Sequence, residues 1–263
     1  MGQRLGQLTS VHLCCTALGS ALAGFALPHI GPFYVAIYIA LYSAAILLLN
    51  FDQVKADHLQ AQGVQRAGVR SMFAGMKSIA TDRKMLWLAL LSLMSIPTGQ
   101  LSNAIQTPLV LEELGYGSVE LGIIDASWPI GGLFASILIA RYWYQPKTTV
   151  VEPSLVVFLG LCCVAVSWAQ NVSLLFVLIG LMGFMSWLCK IHFGSLIALA
   201  SNETEVGRNN AAIEVFAGSM GVALCLLPSL LRLEHFSTYY RLWGGLVITG
   251  TLVANLYLKG RKS

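Results

Sequence analysis

The sequence predicts an all-α membrane protein of about eight transmembrane helices, and three observations predict it. Hydrophobic residues make up 56% of the 263 residues, charged residues only 11%, and the mean hydropathy is +0.71. Soluble domains carry about 25% charge, so this composition cannot cover a globule with polar surface. Apolar runs of about 20 residues recur along the chain, the length a helix needs to cross the hydrocarbon core. None shows the alternation over about 10 residues that marks a barrel strand.

The spans are expected near 8–27, 32–50, 85–111, 117–140, 151–169, 172–198, 211–231 and 238–258. The N-terminus "MGQRLGQLTS" runs into the first apolar stretch with no small-residue cleavage site at its end. Between the second and third spans lies a loop, 51–84, the only sizeable soluble piece. Its second half puts Met72, Phe73, Met76 and Ile79 on one helical face, which predicts a helix on the inner membrane surface. The chain thus divides into 1–50 with two spans, a cytoplasmic linker at 51–84, and 85–263 with six spans.

Basic residues orient the bundle. With the N-terminus inside, the inner segments hold Arg4, Lys55, Arg66, Arg70, Lys77, Arg83, Lys84, Arg141, Lys147, Arg208, Lys259, Arg261 and Lys262. The outer loops hold only Arg232 and Arg241. This bias predicts a multi-pass protein of a plasma membrane, on the bacterial inner-membrane pattern, with both termini cytoplasmic. The net charge of +4 is then topology and not a nucleic-acid patch. Trp143, Trp168 and Trp243 lie near span ends, where interface anchors sit. The six cysteines fall in apolar spans without metal-ligand spacing, so no metal is expected.

Ionisable residues inside spans are costly and face a cavity or a partner. Asp125 and Asn103 each fall about 12–13 Å below the outer loop at 1.5 Å per residue, on adjacent antiparallel helices. They are expected to meet, with Gln106 one turn nearer the outside. The three read either as a substrate or proton site or as interhelical hydrogen bonds. Pro129 displaces the carbonyl four residues back, that of Asp125, and either opens the backbone there or simply kinks the helix. Gly131 and Gly132 favour close helix approach. A second group is Lys190, His192 and Glu214, placed near the inner side by the short loop "SNETEVGRNN". It reads as a proton relay or gate, or as a structural ion pair with Lys190 snorkelling. Trp128 and Trp187 near mid-membrane stack a planar ligand or pack. "NVS" at 171–173 and "NET" at 202–204 lie too close to the membrane or inside the cell to be glycosylated.

A short internal similarity links "ALGSALAGFALP" in the first span to "FAGSMGVALCLLP" in the seventh. It suggests that the first two spans match the last two of the six. From here the residues resemble the major facilitator superfamily over essentially the whole chain. "LGSALAGFALPHIGPFYV" is similar to that family's fifth span and following turn. "FAGMKSIATDRKMLWLALLSLM" resembles the central loop entering the seventh span. "NAIQTPLVLEELGYGSVELGIIDASWPIGGLFASILIARYW" resembles the seventh–eighth hairpin of drug and siderophore exporters. "LIALASNETEVGRNNAA" resembles the inner loop ending in Gly207 and Arg208 before the eleventh span. After "LIARYW", Arg141 and Lys147 remain of the family's loop signature, without its acid.

The resemblance implies the last two spans of the first half plus the complete second half of a twelve-span fold, with four spans missing. It implies a secondary transporter working by alternating access, with a small organic molecule exported against protons, in the lipid bilayer. The family's cavity is lined by spans that match the third, fourth, sixth and seventh here, which carry every polar group named above. The alternative is a truncated, non-transporting protein or a binding partner of another membrane chain, such as a missing amino-terminal half. No Walker loop, HExxH or nucleophile elbow is present, so neither an enzyme nor a cofactor is expected.

Overall fold

The computed structural model describes residues 13–14, 16–25, 33, 43, 69–142, 151–201, 205–231 and 235–259. The described residues form helices and turns, with no strand among them. In chain order the helices are α1 (Thr16–Phe25), α2 (Val69–Thr81), α3 (Arg83–Ser95), α4 (Pro97–Pro108), α5 (Ser118–Tyr142), α6 (Val151–Val166), α7 (Val172–Ala200), α8 (Val206–Leu231) and α9 (Ser237–Lys259). Four stretches are long and apolar enough to cross a membrane: Arg83–Glu113, Ser118–Ile139, Val172–Ala200 and Val206–Pro228. The chain is therefore a helical membrane protein. The apolar part of α6, Glu152–Val166, is shorter, and α9 is not among the four. Of the expected span 32–50 only residues 33 and 43 are described, and the first half of the linker and the loop with Trp143 and Lys147 lie outside the described residues.

Local chemistry sets the helix ends. Asp82 caps α3, its carboxylate accepting from Lys84 N at 2.8 Å and Met85 N at 3.3 Å. The chain then runs through a turn at Ile96 into α4, where Pro97 occupies the first turn and needs no donor. Pro108 ends the α-helical part of α4 because it cannot bond the carbonyl of Ala104. Beyond it Leu109–Glu113 widens into one π-turn, closed by Leu114 N to Leu109 O at 3.0 Å. Gly115 turns the corner at φ 70°, a conformation that favours glycine. Asn171 caps α7 by accepting from Leu174 N at 2.7 Å, so the "NVS" asparagine is spent on a helix terminus.

Glycines set how the helices cross. Against α7, the Cα of Gly131 faces the carbonyl of Gly180, and Gly132 lies under the Trp187 ring. On the same seam Gly183 faces the backbone of Trp128. Gly160 of α6 and Gly244 of α9 sit against each other's carbonyls, and Gly24 of α1 meets Gly122 of α5. A Cβ at any of these would collide with backbone or ring, so the small residue is what permits the approach. The close packing expected of Gly131 and Gly132 is what the α5–α7 seam shows.

Two expectations change. Trp243 is not an interface anchor: it is buried and donates its Nε1 to Thr98 Oγ1 at 2.9 Å, joining α9 to α4. Trp168 stays exposed, with the Arg241 guanidinium 5.9 Å from its ring. The linker helix α2 does not give its apolar face to lipid alone. Ile79 is buried, and Gly75 lies against the backbone of Arg208, so α2 is docked on α3 and α8. Met72 and Phe73 lie outside the described side chains.

Candidate functional site

Asp125 sits seven residues past Ser118, and Gln106 seven residues before Glu113, so the two stand at one depth on antiparallel helices. The Gln106 amide donates from Nε2 to Asp125 Oδ1 at 2.6 Å. Its Oε1 accepts from Ser102 Oγ, one turn deeper on α4, at 3.2 Å. Ser102 Oγ is in turn 3.0 Å from the Tyr240 hydroxyl of α9. Since the Ser102 proton goes to Gln106, Tyr240 donates to Ser102. Three donors therefore point one after another toward the carboxylate, and such chains polarise cooperatively. Ser102, Gln106 and Tyr240 are all buried, and Asp125 is half-buried. The chain of bonds ties α4, α5 and α9 together. The α5 helix continues through Pro129 without a break.

Asn103 does not take the place expected of it. The buried face of α4 is Leu101, Ser102, Ile105 and Gln106, whereas Asn103 and Thr107 are exposed on another side. Asn103 lines an open groove of 580 Å³ between α4 and α8, with Gln100, Ala104, Gly218, Val222 and Cys225. Counting residues fixes a side chain's height in the membrane but not its rotation about the helix axis. At about 100° per residue, three positions separate Asn103 from Gln106 by roughly 60°. That rotation is enough to turn Asn103 off the packed face.

The second group divides in a similar way. Lys190 Nζ pairs with Glu214 Oε1 at 3.1 Å, across α7 and α8, and lies 5.6 Å from the Trp187 ring. The side chains are 42% and 51% exposed, so the pair lies at the edge of the packed helices and not in their core. His192 does not join it. Two residues along a helix are about 200° apart, and His192 is buried on the other side of α7 with Phe193 against its ring. Trp128 and Trp187 are half-buried, and each packs against a glycine. The indole of Trp128 lies on Gly99, that of Trp187 on Gly132.

Of the loop residues, Gly207 is exposed and Arg208 pairs with Glu205 at the start of α8. Arg141 lies in the last turn of α5, where a cation complements the helix dipole. Three polar residues escaped the sequence reading. Ser102 is four residues before Gln106, a spacing that places both on one face and was visible in principle. Tyr240 gave no signal, because its partner is 138 positions away. Glu113 caps α9 by accepting from Ser237 N at 3.0 Å and Ser237 Oγ at 2.7 Å, with His235 Nδ1 3.8 Å away. Its position just before a tight turn reads as a loop acid until α9 is placed. No group of His, Cys, Asp or Glu among the described residues is arranged to hold a metal.

No protein-family model matches the chain, and no curated protein matches it.

Proposed function

We propose that the chain is a secondary active transporter of the major facilitator type, with proton-coupled export of a small organic molecule by alternating access. The eight spans, the cytoplasmic termini and the plasma-membrane setting expected from the sequence belong to this reading. One observation carries it: a half-buried carboxylate at membrane depth, at the end of a buried hydrogen-bond chain joining three helices. A carboxylate is retained inside a membrane segment against a considerable cost, and it does so where it changes partner or charge.

The chemistry offers a coupling step. Ionised, Asp125 accepts from the Gln106 amide. Protonated, it gains a donor while its carbonyl oxygen still accepts, and in this reading the amide turns its oxygen toward the new proton. That turn removes the acceptor of the Ser102 hydroxyl, so Ser102 and Tyr240 rearrange as well. One proton thus alters contacts between α4, α5 and α9, a discrete change by which a proton biases two access states. Asn103 and Gln100 on the open groove are the polar groups nearest to hand for an organic substrate.

A second reading has its own support. Asn103 and the apolar side chains Val222 and Leu226 are exposed on the α4 and α8 faces. Such a face fits a chain whose role is to bind another membrane chain. One experiment separates the two. The protein is reconstituted in liposomes with a trapped pH-sensitive dye and challenged with a panel of dyes, antibiotics and siderophores. Transport predicts proton movement driven by at least one compound, abolished in Asp125→Asn while insertion is unchanged. Normal coupled flux in that variant removes Asp125 from the mechanism, and no flux with any compound favours the binding role.

A further inference from the structure

One buried acid lies outside the Asp125 network and has no part in the chemistry above. The buried side chains of α6 recur at Glu152, Val156, Leu159, Cys163 and Val166, a spacing of three and four residues that marks one helix face. The last four are core residues. The first is a carboxylate, and it is packed with them at 5% exposure. Ser154, two residues on, stands on the exposed side of the same turn. An acid there would sit in the open, so it is the choice of face that buries Glu152.

Its surroundings leave the carboxylate half satisfied. It accepts from the Trp87 indole of α3, and Lys84 faces it. Lys84 is itself exposed. The Glu152 Oε1 is buried and has no hydrogen-bond partner. An acid in the first turn of a helix ordinarily bonds the free N–H groups there, and this oxygen bonds none of them. The helices α3, α7 and α9 pack on α6. Lys84 of α3 is the described charged group that acts on the acid, and the side chain of Lys259, at the end of α9, lies outside the described ones.

A buried carboxylate with one dry oxygen is costly while it carries charge, and far less costly as the neutral acid. A proton on Oε1 removes the charge and leaves the other oxygen to keep the Trp87 bond. Parting α3 from α6 has the opposite effect. Water then reaches both oxygens, and the charged form is no longer penalised. Proton binding and the α3–α6 contact therefore favour each other.

We propose that Glu152 is a proton-binding carboxyl group, and that the proton on it holds the start of α6 against α3. The docked form binds more protons than the parted one, so the contact is firm at low pH and weakens as pH rises. The site is separate from the Asp125 network, and the proposal stands whether or not the chain transports anything.

The test uses the full chain in liposomes, with Asp125→Asn in every sample so that Asp125 adds no carboxyl signal. The readout is the infrared C=O band of a neutral carboxyl group, taken as the difference between D125N and D125N/E152Q. At about pH 6, where carboxyls with ordinary values near 4 are ionised, the difference is expected to show one such band, which disappears at higher pH. Trp87→Phe removes a donor that favours the ionised form. In D125N/W87F the band should persist to a pH higher by about one unit or more. The melting temperature of D125N should fall between about pH 6 and about pH 8, and the fall should be smaller in D125N/E152Q. No difference band at the lower pH overturns the proposal, and so does an equal fall in melting temperature in the two proteins. If D125N/E152Q does not fold, D125N and D125N/W87F decide between them: a band that is missing from both, or one that Trp87→Phe does not move, overturns it as well.

Discussion

The α5–α7 seam and the α4–α8 seam are built from similar residues and differ in how much of their length is closed. Both carry glycines and both lie at membrane depth. Along α5–α7 the glycines are occupied: Gly131 faces the Gly180 carbonyl and Gly132 the Trp187 ring. Along α4–α8 only Gly221 is occupied, by the Gln100 side chain, while Gly218 meets nothing within 4 Å and the helices leave a groove beside it. The burial follows. Half of the apolar window in Ser118–Ile139 is buried (50%), against 28% in Val206–Pro228. In a bilayer lipid tails are as apolar as leucine, so burial alone does not draw helices together. Close backbone approach and polar contacts do, and α5–α7 has the approach along its length. The α8 helix instead shows Val222, Leu226 and Leu230 to its surroundings. The comparison separates a rigid seam from a face open to lipid, ligand or another chain.

The largest effect is expected where the rigid seam is broken. Gly131→Val drives two methyl groups into the Gly180 carbonyl and the Phe184 backbone. Neither is the far end of a flexible side chain, so the helices must separate, at about 3 kcal/mol or more. The melting temperature of the purified protein should fall sharply, and a melting temperature within error of wild type would mean the seam is looser than its geometry. Gln106→Leu tests the polar contact that joins α4 to α5. It leaves Asp125 without its amide and Ser102 without its acceptor, and should cost about 1–3 kcal/mol in thermal stability. Double-mutant cycles with Asp125→Ala sharpen this: the two losses should be less than additive if they share one bond. Gly218→Ala sits at the other end of the scale. The added methyl meets open space, so the change should stay within about 0.5 kcal/mol. A large loss there would show that the groove is closed in the membrane.

The candidate site was half legible from the residues. The carboxylate was conspicuous, because an acid among Ile, Leu and Phe is costly and therefore noticeable. Its depth followed from counting. Its partner did not, for Asn103 and Gln106 are both amides within a turn of each other and differ only in rotation. The same held for His192, two positions from Lys190 and on the opposite side of α7. Trp243 looked like an anchor because it is near a span end, and proved buried because Thr98 accepts its N–H.

What the sequence by itself determined is the class and the helices. Composition requires a membrane, run length requires helices, and Asp82, Pro97, Pro108, Gly115 and Asn171 set where they start, bend and stop. Only the tertiary structure decided which way each helix faces. In water an amphipathic stripe announces the buried side. In α5 and α7 apolar residues lie on every side, and turning the helix about its axis in a bilayer exposes no apolar face to water. What fixes the rotation is close approach at glycines and a few polar contacts over long sequence separations. Those are properties of pairs of helices, and no single stretch of sequence contains them.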